Sequence, residues 1–413
     1  MKSKANLVEK IDEIKAWIIN TRESDLIFSF QPDKKYIAQP VNMIDFKQIL
    51  KYISRFPVIF NCKTFKYSVK EKIITIFMFS ISIIPQNVKI VNTCIDVNKL
   101  VLIIRGDNFM KQKSMTALIS AFSRAYHSVQ NKEKVFDDYL AKDILTENEY
   151  KEIASNMSKG IKFFNPSFEG TQDEALRWIV DNQLSPTPLG RAAFAEKSLK
   201  NAVQIGAKQY LIFAAGYDTF AYRQPEWAKN IQIFELDHPF TGVDKQKRIE
   251  TVMTEKTSNI HYISIDFTEE TWERNLIECS QFEKNKISFC SLLGVNYYLT
   301  KQNFAHAINT ISNIVPKGSS IVFDYNDDKA YTEKAGERAK KQATMAGAAN
   351  EKMLGSYSYM ELEKLLDESN FMIYEHLTPN EITNQYFKKY NKANPNHQMT
   401  AFDNVNYCLA VKK

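Results

Sequence analysis

Seven short apolar runs occur in the second half of the chain, beginning just after Gly206. They are rich in β-branched and aromatic residues, which favours strands, and amphipathic segments separate most of them. The runs are YLIFAA (210–215), IQIFEL (231–236), HYISI (261–265), ISFCSLL (287–293), SIVFDY (320–325), FMIYEH (371–376) and VNYCLAV (405–411). The helical candidates between them are HPFTGVDKQKRIETVM, FTEETWERNLIECS, KQNFAHAINTISNIV and SYMELEKLLDESN. This alternation predicts an α/β fold with a parallel sheet covered by helices on both faces.

The last two runs are joined by a polar stretch, about residues 378–400, instead of a strong helix. Parallel strands need a long crossover, usually a helix, whereas antiparallel strands do not. We therefore predict an antiparallel pair of strands at one edge of the sheet.

The pattern of the chain changes near residue 110, which predicts a domain boundary there. Residues 1–109 are predicted to form a small α+β extension, with an amphipathic helix at about 5–20, a helical piece at 46–53 and the β-rich runs VKIVNTCIDV and KLVLII. The extension matches no function that the sequence identifies.

Residues 110–190 show apolar positions at helical spacing, and they include the long segment SMTALISAFSRAYHSVQNKEKVFDDYLAKDIL. SPTPLG (185–190) interrupts this pattern before a helix that ends at Gly206. We predict that residues 110–190, with the charged, alanine-rich insertion 327–353, form a helical lid over a Rossmann-like core at 191–413. A solvated helix is the plainer interpretation of the insertion.

Composition and charge narrow the class of protein. The 413 residues include 54 Lys and Arg against 48 Asp and Glu, a formal charge of +6, and the basic residues do not gather into one block. This spread gives little support to nucleic-acid binding. The five cysteines form no C-x-x-C pair, which argues against a disulfide framework and against a zinc site.

The sequence also bears on export and on membrane segments. The N-terminus has no apolar signal core, and the most apolar stretch, residues 73–84, is shorter than the ~20 residues that span a bilayer. We therefore expect a cytoplasmic protein with no membrane segment and no metal site.

Carboxylates follow the first three apolar runs, at the ends of the strands where open α/β sheets bind ligands. Gly216 and Asp218 come after the first run, Glu235 and Asp237 end the second, and Asp266 follows the third. Asp237 stands 21 residues after Gly216, the spacing at which an acidic residue reaches ribose hydroxyls in nucleotide-binding βαβ units. Taken singly, the glycine also fits a turn and the aspartates also fit helix caps. Together, in this order, they favour a nucleoside ligand.

The loop after the first run distinguishes between nucleoside ligands. A dinucleotide site needs G-x-G-x-x-G, because the pyrophosphate approaches the backbone closely, but the loop here is AAGYDTF with one glycine. A carboxylate such as Asp218 repels a pyrophosphate and attracts a sulfonium or an ammonium group. The loop therefore favours S-adenosylmethionine over a nicotinamide cofactor.

Eight stretches from about residue 110 onward carry a family resemblance: SRAYHS, FDDYLAKDIL, PLGRAAFAEKSL, QYLIFAAGYDTFAYR, FELDHPFTGVDKQKR, ISIDFTEETW, LLGVNYYLT and NYCLAVKK. This part of the chain resembles the bacterial branch of the leucine carboxyl methyltransferase-like family, whose members are class I methyltransferases that use S-adenosylmethionine. The resemblance implies a seven-stranded Rossmann-like sheet with a helical lid. It also implies methyl transfer to a carboxylate or hydroxyl oxygen of a small molecule.

The resemblance further implies roles for single residues. Arg191, in PLGRAAF, matches the arginine that pairs with the carboxylate of the cofactor, a pairing that a guanidinium makes bidentately. Ala215 and Gly216 match the loop under the methionine part, and Asp218 would structure that loop or meet the ammonium group. The remaining matches are Asp237 on the ribose diol, with Glu235 as second choice, and Asp266 with Phe267 at the adenine.

The resemblance assigns no catalytic base. A carboxylate acceptor needs none, and for a hydroxyl acceptor the candidates are Tyr297, Tyr298 and His127, of which His127 more often has a structural part. Many members of the family carry Glu-Gly-Val where this chain has Leu293-Gly294-Val295, so the leucine-carboxyl substrate does not transfer directly.

Two other hypotheses remain open at this point. One is a catalytically degenerate methyltransferase fold that serves as a scaffold or binding protein. The other is a nicotinamide-dependent oxidoreductase, which the missing glycines disfavour. The acceptor and the oligomeric state do not follow from the sequence.

Overall fold

The computed structural model describes the backbone of residues 58–69 and 72–83, and residues 114–253, 257–267, 269–348 and 351–413 with their side chains. The contacts of the chain group it into two units, residues 1–112 and 113–413, and each is described by itself. The predicted helix at 5–20, the helical piece at 46–53 and the runs VKIVNTCIDV and KLVLII lie outside the described residues.

The described part of the first unit is a β-hairpin. Strand β1 (Val58–Val69) pairs antiparallel with β2 (Lys72–Ile83), so that Val58 lies opposite Ile83 and Val69 opposite Lys72. The most apolar stretch of the sequence is therefore largely strand β2. Among the described residues, every helix is too short or too polar to cross a bilayer.

The second unit is built on a seven-stranded sheet with the order β5-β4-β3-β6-β7-β9-β8. Neighbouring strands from β5 to β7 are parallel, and β9 runs antiparallel to both β7 and β8. The strands are β3 (Gln209–Phe213), β4 (Gln232–Asp237), β5 (Ile260–Ser264), β6 (Ser288–Leu292), β7 (Ser320–Asn326), β8 (Phe371–Leu377) and β9 (Val405–Lys412). All seven predicted strands, the antiparallel edge pair and the Rossmann-like fold class are thereby confirmed.

Helices flank this sheet. The α-helices are α1 (Met115–Gln130), α2 (Glu147–Lys159), α3 (Ile161–Phe164), α4 (Gln172–Ile179), α5 (Pro186–Gln204), α6 (Phe220–Arg223), α7 (Pro239–Val252), α8 (Arg274–Ile277), α9 (Lys301–Ile314), α10 (Glu337–Ala348), α11 (Tyr359–Glu368), α12 (Pro379–Ile382) and α13 (Lys388–Ala393). Two π-helical turns (Val180–Leu184 and Thr383–Phe387) and two 3₁₀ turns (Glu226–Ala228 and Asn296–Tyr298) complete the described elements. The predicted helices that became α7, α9 and α11 are confirmed.

The hydrophobic core has two parts, one on each face of the sheet. Strand β3 shows the division, because successive side chains of a strand point to opposite faces. Tyr210 and Ile212 enter the cluster that includes α1 and α5, and Leu211 and Phe213 enter the cluster that includes α9 and α11. This double burial explains why the inner strands β3, β6 and β7 are nearly continuous apolar runs instead of alternating ones.

Helix α5 begins earlier than predicted. SPTPLG does not interrupt the helix, which starts at Pro186. Proline lacks only an N–H that the first helical turn leaves unpaired anyway, so prolines 186 and 188 are tolerated there. The correction matters for function, because it places Thr187 and Arg191 one turn apart on the same helix.

Two predicted helices are shorter than the pattern indicated. The helix within residues 114–145 ends at Gln130, because Asn131 leaves the helical conformation with φ −114° and ψ 134°. The Asn131 side-chain amide donates to the His127 carbonyl oxygen at 3.0 Å and caps the last turn. In the segment 267–280 the described α-helix covers only Arg274–Ile277. Trp272, two residues before this helix, is buried against Phe213, with ring centroids 5.5 Å apart.

Candidate functional site

A cavity of about 560 Å³ opens at the carboxyl ends of β3, β4 and β6. Its walls also include parts of α1, the first π-turn, α5, α10 and residues 351–353, so both predicted lid regions contribute to it. Seven predicted site residues line the cavity: Arg191, Ala215, Gly216, Asp218, Asp237, Tyr297 and Tyr298. Four others are not among the lining residues: Glu235, Asp266, Phe267 and His127.

The loop after β3 has an unusual backbone. Ala214 has φ 48° and Gly216 has φ 50°, both in the left-handed region. A β-carbon on Gly216 would lie 3.5 Å from the Ala117 β-carbon, an ordinary contact. The chain itself therefore requires glycine here for its backbone conformation and not for want of space. Ala214 stores strain in the same loop, and such strain concentrates at functional sites.

Asp237 ties this loop to the next strand. Its Oδ2 accepts a hydrogen bond from the Gly216 backbone N–H at 2.5 Å, and its Oδ1 accepts one from the His238 N–H at 2.6 Å. Burial raises the pKa of the Asp237 carboxyl, and these two N–H groups partly offset the shift. Asp218 organises the same loop, because its Oδ1 accepts from the Phe220 N–H at 2.7 Å.

Arg191 enters the cavity from α5 and is held by Asp324. Its Nη1 lies 3.1 Å from Asp324 Oδ2, and the side chain keeps 17% of its surface exposed. Burial lowers the pKa of the guanidinium, but the Asp324 carboxylate outweighs burial and raises it above the ordinary value. Among the described residues this is the one hydrogen bond recorded for the guanidinium, so its other N–H groups are available to a ligand.

Asp324 was missed in the sequence, although it carries the Arg191 side of the site. The carboxylate is fully buried near the end of β7. It accepts from the Gly294 N–H at 2.6 Å, from Arg191 and from the Tyr297 hydroxyl. The signal was present in SIVFDY, because this apolar run carries a carboxylate near its carboxyl end, where the first three runs also have one in or just after them.

The Glu235 carboxylate already has two partners within the protein. Its Oε1 lies 2.7 Å from the Lys245 ammonium, and its Oε2 accepts from the Tyr222 hydroxyl at 3.2 Å. Burial raises the pKa of the Glu235 carboxyl, against the lowering effect of Lys245. The pair is buried on both sides, so it fastens α7 to β4.

Asp266 and Phe267 lie just beyond β5, next to the strand that carries Asp237. The Ile265 N–H donates to the Asp237 carbonyl oxygen at 2.9 Å, which fixes this neighbourhood. The Phe267 ring packs on Trp272 with centroids 5.1 Å apart. The structure thus places both residues at the carboxyl edge of the sheet, outside the walls of the cavity.

The three candidate bases differ in position. His127 is fully buried, where its Nε2 accepts from the Val135 N–H at 3.0 Å and its Nδ1 lies 3.1 Å from the Asn131 side-chain amide. Burial lowers the pKa of His127 to about 3. Burial also raises the pKa of Tyr297 and Tyr298, so both phenols stay protonated at neutral pH.

No group of three or more His, Cys, Asp or Glu side chains in the described part of the chain is arranged to hold a metal ion. The polar groups around the cavity are instead single carboxylates, hydroxyls, amides and cations. Such a set suits an organic ligand with both charged and hydroxyl groups.

Comparison with known proteins identifies similar structures and sequences. A crystal structure described as a putative methyltransferase from Thermobifida fusca YX aligns with a TM-score of 0.43 and 12% identity, and the match covers 75% of this chain and 98% of that one. The family model described as "Leucine carboxyl methyltransferase" matches residues 117–312.

Two relatives carry related names. The "Putative S-adenosyl-L-methionine-dependent methyltransferase Franean1_4929" of Parafrankia sp. (strain EAN1pec) is 24% identical over 225 residues, which cover 54% of this chain and 66% of that protein. The "Putative S-adenosyl-L-methionine-dependent methyltransferase YktD" of Bacillus subtilis (strain 168) is 40% identical over 307 residues, 73% of this chain and 99% of that protein. The chain belongs to the leucine carboxyl methyltransferase family of S-adenosylmethionine-dependent methyltransferases.

Proposed function

We propose that this methyltransferase O-methylates a small molecule, with a carboxylate as the preferred acceptor and a hydroxyl as the second candidate. The observation that carries the preference is the state of the potential bases. Tyr297 and Tyr298 line the cavity as protonated phenols, and the His127 imidazole is bonded to other parts of the chain. A carboxylate is already anionic at neutral pH, so it needs no base, whereas a hydroxyl does.

The carboxylates of the cavity support the same preference. Asp138, Asp218, Asp237 and Glu351 all line it, and each already accepts at least one hydrogen bond from the chain. Each of these carboxylates is thus already engaged by groups of the chain. An acceptor that is itself a carboxylate needs a base from none of them.

The residues around the β3 loop fit the cofactor that the family uses. In this proposal the unpaired N–H groups of Arg191 hold its carboxylate, Gly216 and Ala215 support its methionine part, Asp218 faces its ammonium group and Asp237 accepts from its ribose hydroxyls. Asp266 and Phe267 remain the predicted adenine contacts. Because Glu235 is in an ion pair with Lys245, it is a weaker candidate than Asp237 for binding the ribose. When bound, S-adenosylmethionine supplies a methyl group activated by a positively charged sulfur.

Leu293 also suits an anionic acceptor. It lines the cavity at the position where many members of the family carry glutamate. A glutamate there would repel an acceptor carboxylate, and leucine removes that repulsion. With its volume of about 560 Å³, the cavity is within the range of small-molecule sites.

The direct test follows the transfer of a radiolabelled methyl group from S-adenosylmethionine to matched acids and alcohols. A carboxyl methyl ester releases volatile methanol in mild base and a methyl ether does not, so the product identifies the acceptor group. We expect base-labile product and a rate that changes little between pH 6.5 and 8.5. Base-stable product with a rate that rises with pH would move the assignment to a hydroxyl.

Cofactor binding is measured separately by calorimetric titration with S-adenosylmethionine and its demethylated product. We expect Arg191→Ala and Asp237→Ala to weaken both titrations, because each removes a charged contact. Tight binding by the wild type without transfer to any acid or alcohol would instead favour the scaffold or binding-protein alternative.

A further inference from the structure

We propose that Lys352, Gln183 and Thr187 form the acceptor subsite, and that this subsite selects small carboxylic acids with an apolar body. The inference rests on the proposed O-methylation and names the residues that would recognise its substrate.

Lys352 is the cation in the cavity wall that remains available. Among the described residues, three cations line the cavity: Arg124, Arg191 and Lys352. All three nitrogens of the Arg124 guanidinium donate hydrogen bonds within the chain, and its Nε lies 2.8 Å from Asp138 Oδ2. Arg191 pairs with Asp324 and is proposed to hold the cofactor. Lys352, which is exposed, has no hydrogen bond or ion pair recorded with any described residue.

The segment around Lys352 is nevertheless fixed. The Glu351 carboxylate accepts from the Thr116 hydroxyl and, at 3.1 Å, from the Met115 N–H, which ties it to the start of α1. On the other side of Lys352, the Leu354 N–H donates to the Tyr297 carbonyl oxygen at 2.5 Å. These bonds hold the ammonium-bearing residue at the cavity wall while its side chain stays available.

Thr187 provides an independent sign of a ligand. It lines the cavity with 4% of its surface exposed, and its hydroxyl has no hydrogen-bond partner among the described residues. A buried hydroxyl without a partner costs about 1–3 kcal/mol, so it is normally satisfied by a water or a ligand. A threonine inside a helix usually bonds the carbonyl one turn back, but no such bond is recorded here.

Gln183 lies in the π-helical turn that leads into α5. It also lines the cavity, and no hydrogen bond of its side-chain amide is recorded among the described residues. Single π-turns are rare and frequently occur at functional sites. The turn therefore places an amide donor and acceptor in the wall of the cavity, four residues before Thr187.

Apolar side chains form the rest of the acceptor side. The lining includes Phe136, Leu184, Leu293, Met345 and Met353. Flexible methionines adapt to differently shaped apolar groups. The subsite thus combines a cation, two neutral hydrogen-bonding groups and an apolar wall, which is the complement of an amphipathic carboxylic acid.

The chemistry of methyl transfer also favours a cation at this point. The acceptor oxygen forms a bond to the methyl carbon while the carbon–sulfur bond breaks and leaves its electrons on sulfur. No proton is released, and the acceptor carboxylate becomes a neutral ester. Lys352 would therefore attract the substrate and lose its ion pair with the product, which promotes product release.

The test uses octanoate and phenylacetate as probes, with octan-1-ol and 2-phenylethanol as uncharged counterparts. Binding is measured by calorimetry on the full chain saturated with the demethylated cofactor. We expect Lys352→Ala to weaken acid binding about tenfold or more, since a bond to a charged group is lost, and to leave alcohol binding and cofactor binding unchanged. Lys352→Arg should restore most of the acid affinity, and Thr187→Val should weaken both acids and alcohols severalfold.

Lys340→Ala is the matched control, because Lys340 lies on α10 outside the cavity lining, in an exposed pair with Glu337. Equal acid binding by wild type and Lys352→Ala, or wild-type binding of the alcohols but not the acids, would overturn the subsite. The proposed function fails by a different result, namely no labelled product from either acids or alcohols although the cofactor binds.

Discussion

The substitution Asp324→Asn tests whether one buried carboxylate holds the cofactor side of the site together. Asparagine keeps the shape of the side chain and can still accept from the Gly294 N–H. Its amide group, however, would face the Arg191 guanidinium, and two donors cannot bond each other. Arg191 would then be a largely buried cation without its counter-ion, since the structure leaves 17% of its side chain exposed.

The expected loss of stability is large. Breaking a buried ion pair by removing one partner costs about 3–5 kcal/mol. Domains of this kind are stable by about 5–15 kcal/mol, so the variant should fold but unfold at a clearly lower urea concentration. Affinity for S-adenosylmethionine should also fall at least tenfold, because the guanidinium is no longer held at the cavity wall.

The measurements are urea unfolding followed by circular dichroism and calorimetric titration with S-adenosylmethionine. Asp367→Asn is the control, since Asp367 is 71% exposed in its pair with Lys413, and such pairs contribute at most about 1 kcal/mol. Adding Arg191→Met to Asp324→Asn should recover part of the stability, because no unpaired charge then remains. If Asp324→Asn behaves like Asp367→Asn in both measurements, the role given to Asp324 is wrong.

Three further predictions concern other parts of the same unit. Gly216→Ala should cost about 1–2 kcal/mol and weaken cofactor binding, because alanine is strained at φ 50°, whereas Gly242→Ala in α7 should be neutral or stabilising; urea unfolding of both variants checks this. Lys245→Met should destabilise by about 3–5 kcal/mol, because it leaves Glu235 buried and unpaired, and a loss below 1 kcal/mol would contradict that view of the pair. His127, with its pKa lowered to about 3, should cost the protein about 1.4 kcal/mol of stability per pH unit as the pH falls from 6.5 towards 3, because over this range the unfolded chain binds a proton that the folded chain excludes. His127→Gln should show a smaller slope between pH 7 and 5.

The sheet was largely predictable, because doubly buried strands leave a strong signal. Each of the seven runs is predominantly apolar and separated from the next by polar or amphipathic chain, and each became a strand, although the edge strands β5 and β8 keep exposed positions. The start of α5 was not predictable in the same way. Two prolines and a glycine in SPTPLG indicate a break on local propensity, but the first turn of a helix tolerates proline. Local signals of this kind therefore misplace element boundaries while the elements themselves are found.

The site was predictable only where position along the strand determined it. Gly216, Asp218 and Asp237 follow from strand ends and spacing, and the structure brings them to one cavity. Arg191 came from the family resemblance alone, because an arginine within a helix gives no sign of the cavity that it enters. The position of Lys352 at the cavity wall was even less predictable from the sequence. It depends on the hydrogen bonds that the neighbouring Glu351 and Leu354 make to other parts of the chain.

The same hydrogen-bonding arrangement occurs twice at the carboxyl edge of the parallel sheet, but it leaves an acceptor group in one place and donor groups in the other. After β3, the left-handed Gly216 donates its N–H to Asp237 at the end of β4; after β6, Gly294, with φ 72°, donates its N–H to Asp324 near the end of β7. Within the described residues, the hydrogen bonds recorded for Asp237 come from backbone N–H groups, so this carboxylate remains an acceptor for hydroxyls. Asp324 instead holds Arg191, and the net result on that side is a set of donors. One wall thus suits a diol and the other a carboxylate. The proposed placement of the ribose and of the amino-acid carboxylate of S-adenosylmethionine requires this arrangement, and hydrogen bonds within the chain itself set it.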